Sequence, residues 1–297
     1  MEASTATARE LPVAAATRTR TNVQQAAQRF VHHRLAMAGL VITLVLILVA
    51  LLAPFIAPTS YYYADLAQAN QFPSHQHLLG TDAIGHDFLS RMIYGVRTSL
   101  LVGFVAVLIS CLIGLPLGLL AGLRGGATDF AVMRVVDVMT AFPGILFAIF
   151  LITVVGGGVL NVIVVIGVTG WVTICRLVRA QLLSLREEEY VTAARSIGAS
   201  EFAIATRHLL PNALAPMITT IALAIPTAIF AEAGLSFLGI GINEPTPSLG
   251  KMVADSAPYL RVYWHLGFFP TLAIALAMLG FTFVGDGLRD ALDTRLR

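Results

Sequence analysis

Charge is what this sequence has least of. Asp, Glu, Lys and Arg make up only 12% of its 297 residues, where a soluble domain carries about a quarter. With 57% hydrophobic residues and a mean hydropathy of +0.81, the composition excludes an ordinary water-soluble domain. It makes a lipid bilayer the solvent, in which backbone polar groups are satisfied within helices. Cysteine is nearly missing as well. Cys111 and Cys175 lie in or at the end of apolar runs, which leaves no disulfide framework or thiol ligand set and makes core packing their expected role. Lysine is rarer still: Lys251 stands alone against 18 arginines. A Walker loop needs a lysine followed by Ser or Thr after spaced glycines, whereas Met252 follows Lys251 and Thr246 stands five residues before it. Gly239-Ile240-Gly241 has no strand before it, and neither a nucleophile elbow nor an HExxH pattern occurs. No catalytic residues and no bound cofactor are therefore expected of this chain. A formal charge of +2 is too small to point to nucleic acid.

Long apolar runs are plentiful. Six spans can be drawn over residues 35–57, 99–122, 131–155, 160–178, 213–239 and 267–287, each near or above the ~20 residues that cross a hydrocarbon core. Basic residues orient them. With the N-terminus inside, 15 arginines fall in cytoplasmic segments, against Arg91, Arg97, Arg261 and Lys251 outside, a positive-inside bias. Both termini and the 179–212 segment are then cytoplasmic, and residues 58–98 form a long external loop. The aromatic clusters Tyr61–Tyr63 and Tyr259–Phe269 fall at the external interface. Residues 1–34, rich in Ala, Thr and Arg, read as a disordered cytoplasmic tail.

Between two apolar blocks lies a polar stretch, residues 189–212, EYVTAARSIGASEFAIATRHLLPN. Tyr190, Ala193, Ala194 and Ile197 recur at i, i+3, i+4 and i+7, one face of a helix. Ser184 and Glu187 have capping-box spacing for its start. Gly198 supplies the left-handed residue for its end, and a second helix is expected to finish at Pro211. The whole reads as a compact docking lever. Elsewhere, Gly114, Gly118 and Gly122 form a small-xxx-small stripe for close helix contact. Pro116, Pro143, Pro216 and Pro226 can kink their helices.

Charged and polar residues near the spans have competing roles. Arg134 and Asp137 are spaced to pair on one helix face. Glu232, near the outer end of the fifth span, is an ionisable group in a membrane segment; substrate contact and a structural hydrogen bond are equally open to it. His75, His77 and His86 carry a weak metal-binding pattern that loop polarity explains as well. Carboxylates are missing from the middle of most spans, where ion-driven carriers use them. If transport is active, its energy must come from a partner, and the lever is where it would arrive.

The sequence around the lever, 189–199 (EYVTAARSIGA) with 208–212 (HLLPN), resembles the EAA loop of ABC importer permeases of the dipeptide, oligopeptide and nickel type, specifically the second permease of the pair. Residues 77–91 (HLLGTDAIGHDFLSR) and 94–100 (YGVRTSL) resemble that family's external signature. Gly170-Trp171, residues 176–181 (RLVRAQ), 232–239 (EAGLSFLG) and 285–293 (GDGLRDALD) follow in the same order. Thr192 stands where the glutamate that names the loop would be, and His86 where an arginine is expected. The resemblance implies an all-α membrane protein with six transmembrane helices, the type I ABC importer permease fold, its core over 97–288 and a coupling loop over 179–212. It also implies a bacterial or archaeal cytoplasmic membrane, a second permease, two ATPase subunits that bind ATP and Mg, and an extracytoplasmic substrate-binding protein. Docking on the ATPase would fall to Glu189, Tyr190, Ala193, Ala194, Ile197, Gly198 and Pro211. Peptides are the expected cargo, with nickel chelates or glutathione as alternatives in the same class. A lone ion-driven transporter or channel and a purely structural subunit are the competing readings.

Overall fold

In the computed structural model residues 22–292 are described, and they are almost wholly helical. Residues 1–21 of the expected tail, and Arg295 and Arg297, lie outside the described residues. The remainder of that tail is not irregular: Asn22–His32 forms helix α1, whose Phe30 ring lies against Gly287 near the far end of the chain. The apolar positions Ala26 and Phe30, four residues apart, give this short segment a face to bury.

Among the described residues five further helices are long and apolar enough to cross a membrane, or six if one bent pair is a single span. They are α2 (Arg34–Ile56), α3 (Phe88–Arg124), the pair α4 (Gly126–Thr140) and α5 (Gly144–Val155), α6 (Val159–Arg186), the run Glu201–Phe237, and α11 (Trp264–Leu292). The run Glu201–Phe237 comprises α8 (Glu201–Ile204), a widened turn over Ala205–Leu209 and α9 (Leu210–Phe237). Two short α-helices remain among the described residues, α7 (Glu189–Ser196) and α10 (Leu249–Ser256), together with single 3-10 turns at Leu66–Gln68 and Ala257–Tyr259.

The third span of the sequence reading is not one helix. α4 and α5 meet at 81°, because Pro143 has no N–H to continue the ladder and Phe142 before it is steered out of the helical region. α3 begins eleven residues earlier than the apolar run suggests. Asp87 caps it by accepting from the Ser90 N–H at 2.9 Å and the Ser90 hydroxyl at 2.8 Å, and such a cap starts a helix where hydropathy gives no sign of one.

α3 and α6 run parallel, since Gly114, Gly118 and Gly122 meet Trp171, Cys175 and Leu182 in ascending order. A Cβ on Gly118 would sit 2.7 Å from the Cys175 carbonyl oxygen and 2.8 Å from the Val178 Cβ, so the stripe sets how closely the two backbones approach. Gly118→Val is expected to destabilise by about 1–3 kcal/mol through overpacking, read as a lower thermal midpoint in detergent. Gly144→Ala, where nothing lies within 4 Å, should leave that midpoint unchanged.

The largest core cluster joins α3, α5, α6 and α9 through residues such as Val102, Ile152, Val162 and Leu182. A second joins α2, α3, α9 and α11 around Leu100, Ile229, Ala277 and Phe281. α2 and α11 are antiparallel, with Ala36 against Gly287 and Gly39 against Phe283. Arg186, in the last turn of α6, donates to the Gly122 and Leu123 carbonyls at 3.0 and 3.2 Å. It thereby satisfies free carbonyls at the end of α3 and fastens both helices where the lever begins.

Candidate functional site

The lever starts immediately after α6. Ser184 is not its cap: α6 continues through Arg186, and Glu188 in extended conformation precedes α7. Helical continuation satisfies the backbone there, so the capping-box spacing goes unused. α7 ends at Ser196, and Gly198 (φ +87°) turns the chain. The Gly198 N–H donates to the Arg195 carbonyl and the Ala199 N–H to the Ala194 carbonyl, both at 3.1 Å, the paired bonds of a Schellman ending. Ser200 then caps α8, accepting from the Ala203 N–H at 3.2 Å.

Three ties hold the two arms. Arg195 pairs with Glu201 at 2.9 Å across the glycine turn. Asn212 donates to the Tyr190 hydroxyl at 3.3 Å, and the Tyr190 and His208 rings lie 6.1 Å apart. Val191 and Ala194 are buried in the main core cluster, so the lever is seated on the bundle.

The sequence assigned Tyr190, Ala193, Ala194 and Ile197 to one docking face. The structure divides them. Ala194 points inward beside Val191, while Glu189, Tyr190, Ala193, Ile197 and Gly198 remain exposed. Ile197 is 86% exposed, and Phe202 on the next arm is 78% exposed. Phe202 was missed, although an aromatic inside a polar segment was a signal. Pro211 does not end the second helix either. The helix passes through it by widening over Ala205–Leu209, where the Leu210 N–H reaches back to the Ala205 carbonyl; this wider turn accommodates the proline ring and its missing donor.

At the opposite end of the bundle, Glu232 is fully buried. Ser99 of α3 donates to its Oε2 at 2.7 Å and Ser236 of α9 to its Oε1 at 2.8 Å, with the Ser248 hydroxyl alongside. Ser99 itself accepts from the Leu249 N–H at 3.3 Å, and Ser236 from the Ile242 N–H at 3.2 Å. The Glu232 side chain is thereby tied through Ser99 and Ser248 to the amino end of α10, where Ser248 accepts from the Lys251 N–H at 3.2 Å. In this conformation Glu232 is buried and clasps α3, α9 and α10, the arrangement of the structural alternative. Ser99, Ser236 and Ser248 stand on separate segments, and no local spacing links them.

The same end holds an ionic network. Arg91, 3% exposed, donates to Glu244 at 2.7 Å and lies 3.8 Å from Asp82. His86 reaches Asp82 at 2.7 Å, while His77 sits between Asp87 at 2.9 Å and Gln68 at 2.7 Å. His77 and His86 are thus engaged separately, and His75 is exposed. Among the described residues no group of three His, Cys, Asp or Glu side chains could hold a metal. The expected Arg134–Asp137 pair is also rearranged: Arg134 lies over the Phe130 ring, 4.9 Å from its centroid, and Asp137 is 3.5 Å from Arg176 of α6. A neighbouring helix offered the carboxylate a partner that sequence spacing cannot show.

Long apolar helices, a polar lever seated between two of them and hydrogen-bonded clasps at the far end define a multi-span helical membrane protein. Comparison with known proteins agrees. Residues 114–297 match the model for the binding-protein-dependent transport system inner membrane component, and residues 21–73 that for the N-terminal TM domain of oligopeptide transport permease C. The chain belongs to the binding-protein-dependent transport system inner membrane component family, and it is an ABC importer permease.

Among its relatives is the oligopeptide transport system permease protein OppC of Bacillus subtilis, 42% identical over 91% of this chain and 88% of that one. The dipeptide transport system permease protein DppC of the same organism is 44% identical over 92% and 86%. The glutathione transport system permease protein GsiD of Pectobacterium atrosepticum is 38% identical over 97% and 96%. An inward-facing structure of the MetNI methionine ABC transporter has a chain that aligns with a TM-score of 0.58 at 23% identity, over 68% of this chain and 96% of its own; that likeness concerns the fold.

Proposed function

We propose that this subunit forms half of the translocation pathway for peptides, that a second permease forms the other half, and that ATP hydrolysis in two separate ATPase subunits drives it. The observation that carries the coupling part is the lever. Its inward residues, Val191 and Ala194, belong to the core of the bundle, while Tyr190, Ala193 and Ile197 face outward. Movement of a body held on the outer face would therefore pass directly into α6 and α9. Glu189 contributes a charge at the first turn of α7, and Gly198 and Pro211 shape the turn and the second arm. The chain itself binds no ATP, Mg or metal in this reading.

The charge bias supports cytoplasmic termini and a cytoplasmic lever in a bacterial or archaeal inner membrane. The opposite end then receives a substrate-binding protein. There a cavity of about 420 Å³ opens beside Arg91, Glu244, Lys251 and Asp255. Peptide cargo is favoured because the relatives named for oligopeptide, dipeptide and glutathione transport share the peptide bond in their substrates. Switching requires that the ATPase state bind one permease conformation better than the other; docking alone shifts nothing.

The test is uptake into proteoliposomes by the complete complex. A labelled dipeptide on the binding protein should enter when ATP is supplied on the lever side, and it should not enter under an ion gradient alone. Uptake by this chain without partners under an ion gradient would overturn the proposal. So would ATP-driven uptake that survives loss of every contact between lever and ATPase.

A further inference from the structure

The ion pairs around the cavity at the end opposite the lever share one asymmetry. Asp82, Arg91, Glu244, Lys251 and Asp255 all line that cavity, so three carboxylates stand against two cations. In each pair the cation is the inner member. The Arg91 side chain is 3% exposed and that of Glu244 44%, while Lys251 is 22% exposed and Asp255 46%. Asp82, at 20%, is likewise more open than Arg91. An approaching molecule therefore meets an acidic surface, with the compensating cations behind it.

Both outer carboxylates keep acceptor capacity. A carboxylate has about four acceptor sites. Glu244 uses two for Arg91, at 2.7 and 3.2 Å, and Asp255 uses one for Lys251, a turn earlier on α10. Beside them the lining offers exposed apolar surface from Ile84, Pro258 and Tyr259. That combination fits a long basic side chain, which lays its methylenes on apolar surface and keeps its charged head on polar groups. Tyr259 adds a ring of the kind on which a guanidinium stacks. A zwitterion such as a free peptide or an ethanolamine lipid fits less well, because it would carry its own anion toward three carboxylates.

Building on the importer reading, we propose that this cavity is a socket for a basic side chain of the substrate-binding protein, held between Glu244 and Asp255. Glu244 belongs to the segment that follows α9, and Asp255 to α10, so the incoming cation bridges the two. Glu244 also holds Arg91 in the first turn of α3. The socket therefore sits on the joint of α3, α9 and α10 that Glu232 clasps from inside. Its outward acidity also speeds the approach of a basic surface, an effect that salt weakens.

Lys251 supplies the readout. It is the only lysine in the chain, so mass spectrometry of this subunit reads acylation by a water-soluble succinimidyl ester at one side chain. In the complete complex in lipid nanodiscs, the substrate-binding protein should slow that acylation by about tenfold, as expected where docking excludes water. Asp255→Asn, at a half-exposed side chain, should leave the thermal midpoint unchanged and weaken binding-protein affinity by about tenfold. Asp255→Lys should weaken it by about a hundredfold, and the affinity of the unaltered complex should fall as salt rises. Unchanged affinity in both variants, or tighter binding by Asp255→Lys, overturns the proposal. So does protection of Lys251 without the binding protein, whether by millimolar alanylalanine or by phosphatidylethanolamine relative to phosphatidylcholine nanodiscs, because the cavity then belongs to a solute or a lipid amine. ATP-driven uptake by the unaltered complex separates the two readings. If uptake is intact and Lys251 stays reactive with the binding protein bound, the socket alone is wrong; if uptake is absent, the importer reading itself fails.

Discussion

Glu232→Ala is expected to be among the most damaging substitutions of a single residue outside the lever. The carboxylate is fully buried and accepts from Ser99 and Ser236 at 2.7 and 2.8 Å. Those hydroxyls in turn accept from backbone N–H groups of Leu249 and Ile242. Truncation strands two buried hydroxyl donors at about 1–3 kcal/mol each and leaves a cavity between three helices. The thermal midpoint of the purified permease should fall by about 10 °C, or the protein should fail to accumulate, since each kcal/mol shifts a domain of similar size by roughly 2–4 °C. Where the alanine variant does not accumulate, Ser99→Ala provides a second measure: it leaves the Leu249 N–H and one Glu232 oxygen unpaired, at about 1–3 kcal/mol each. The result also discriminates between roles. A pathway residue would lose transport while keeping its midpoint, so an unchanged midpoint with uptake abolished would show that the clasp is wrong and that Glu232 contacts cargo.

What the sequence could reveal divides along physical lines. Spans were legible because the hydrocarbon core demands long apolar runs, a demand each segment meets alone. The lever was legible because a polar stretch in such a chain has to reach water, and Gly198 marked its turn, where φ is +87°. Features fixed by a second helix were not legible. Asp137 had a candidate partner three residues away in Arg134, yet Arg176, 39 positions further on, takes it. Glu232 depends on Ser99, 133 residues distant. Ala194 shared a helical face with Tyr190 and Ile197 in the periodicity, but the small residue is the one that fits against the core. Proline was the least dependable signal. Pro143 breaks its span, while Pro211 lies inside a helix that widens to admit it; the difference is whether neighbouring turns can supply the lost bond.

Ile197→Lys is expected to abolish coupling while leaving this chain folded. Ile197 is 86% exposed, so the substitution removes almost no contact within the permease. It lies at the carboxyl end of α7, where a cation suits the helix dipole and the helix should not weaken. In a complex that side chain would be buried by the ATPase, and burying an isoleucine contributes about 1.5–3 kcal/mol. Replacing it with an ammonium forfeits that gain and adds the cost of desolvating a charge, so ATPase affinity should fall by about 100-fold, the equivalent of about 2.7 kcal/mol. Copurified ATPase and ATP-driven uptake should both be lost, with the thermal midpoint of the isolated permease unchanged. Ala194→Lys should behave differently, because Ala194 is in the core: there the midpoint itself should drop. Wild-type copurification and uptake with Ile197→Lys would mean that the outward face of α7 is not where the ATPase sits, and the route by which ATP binding reaches α6 and α9 would have to start elsewhere on the bundle.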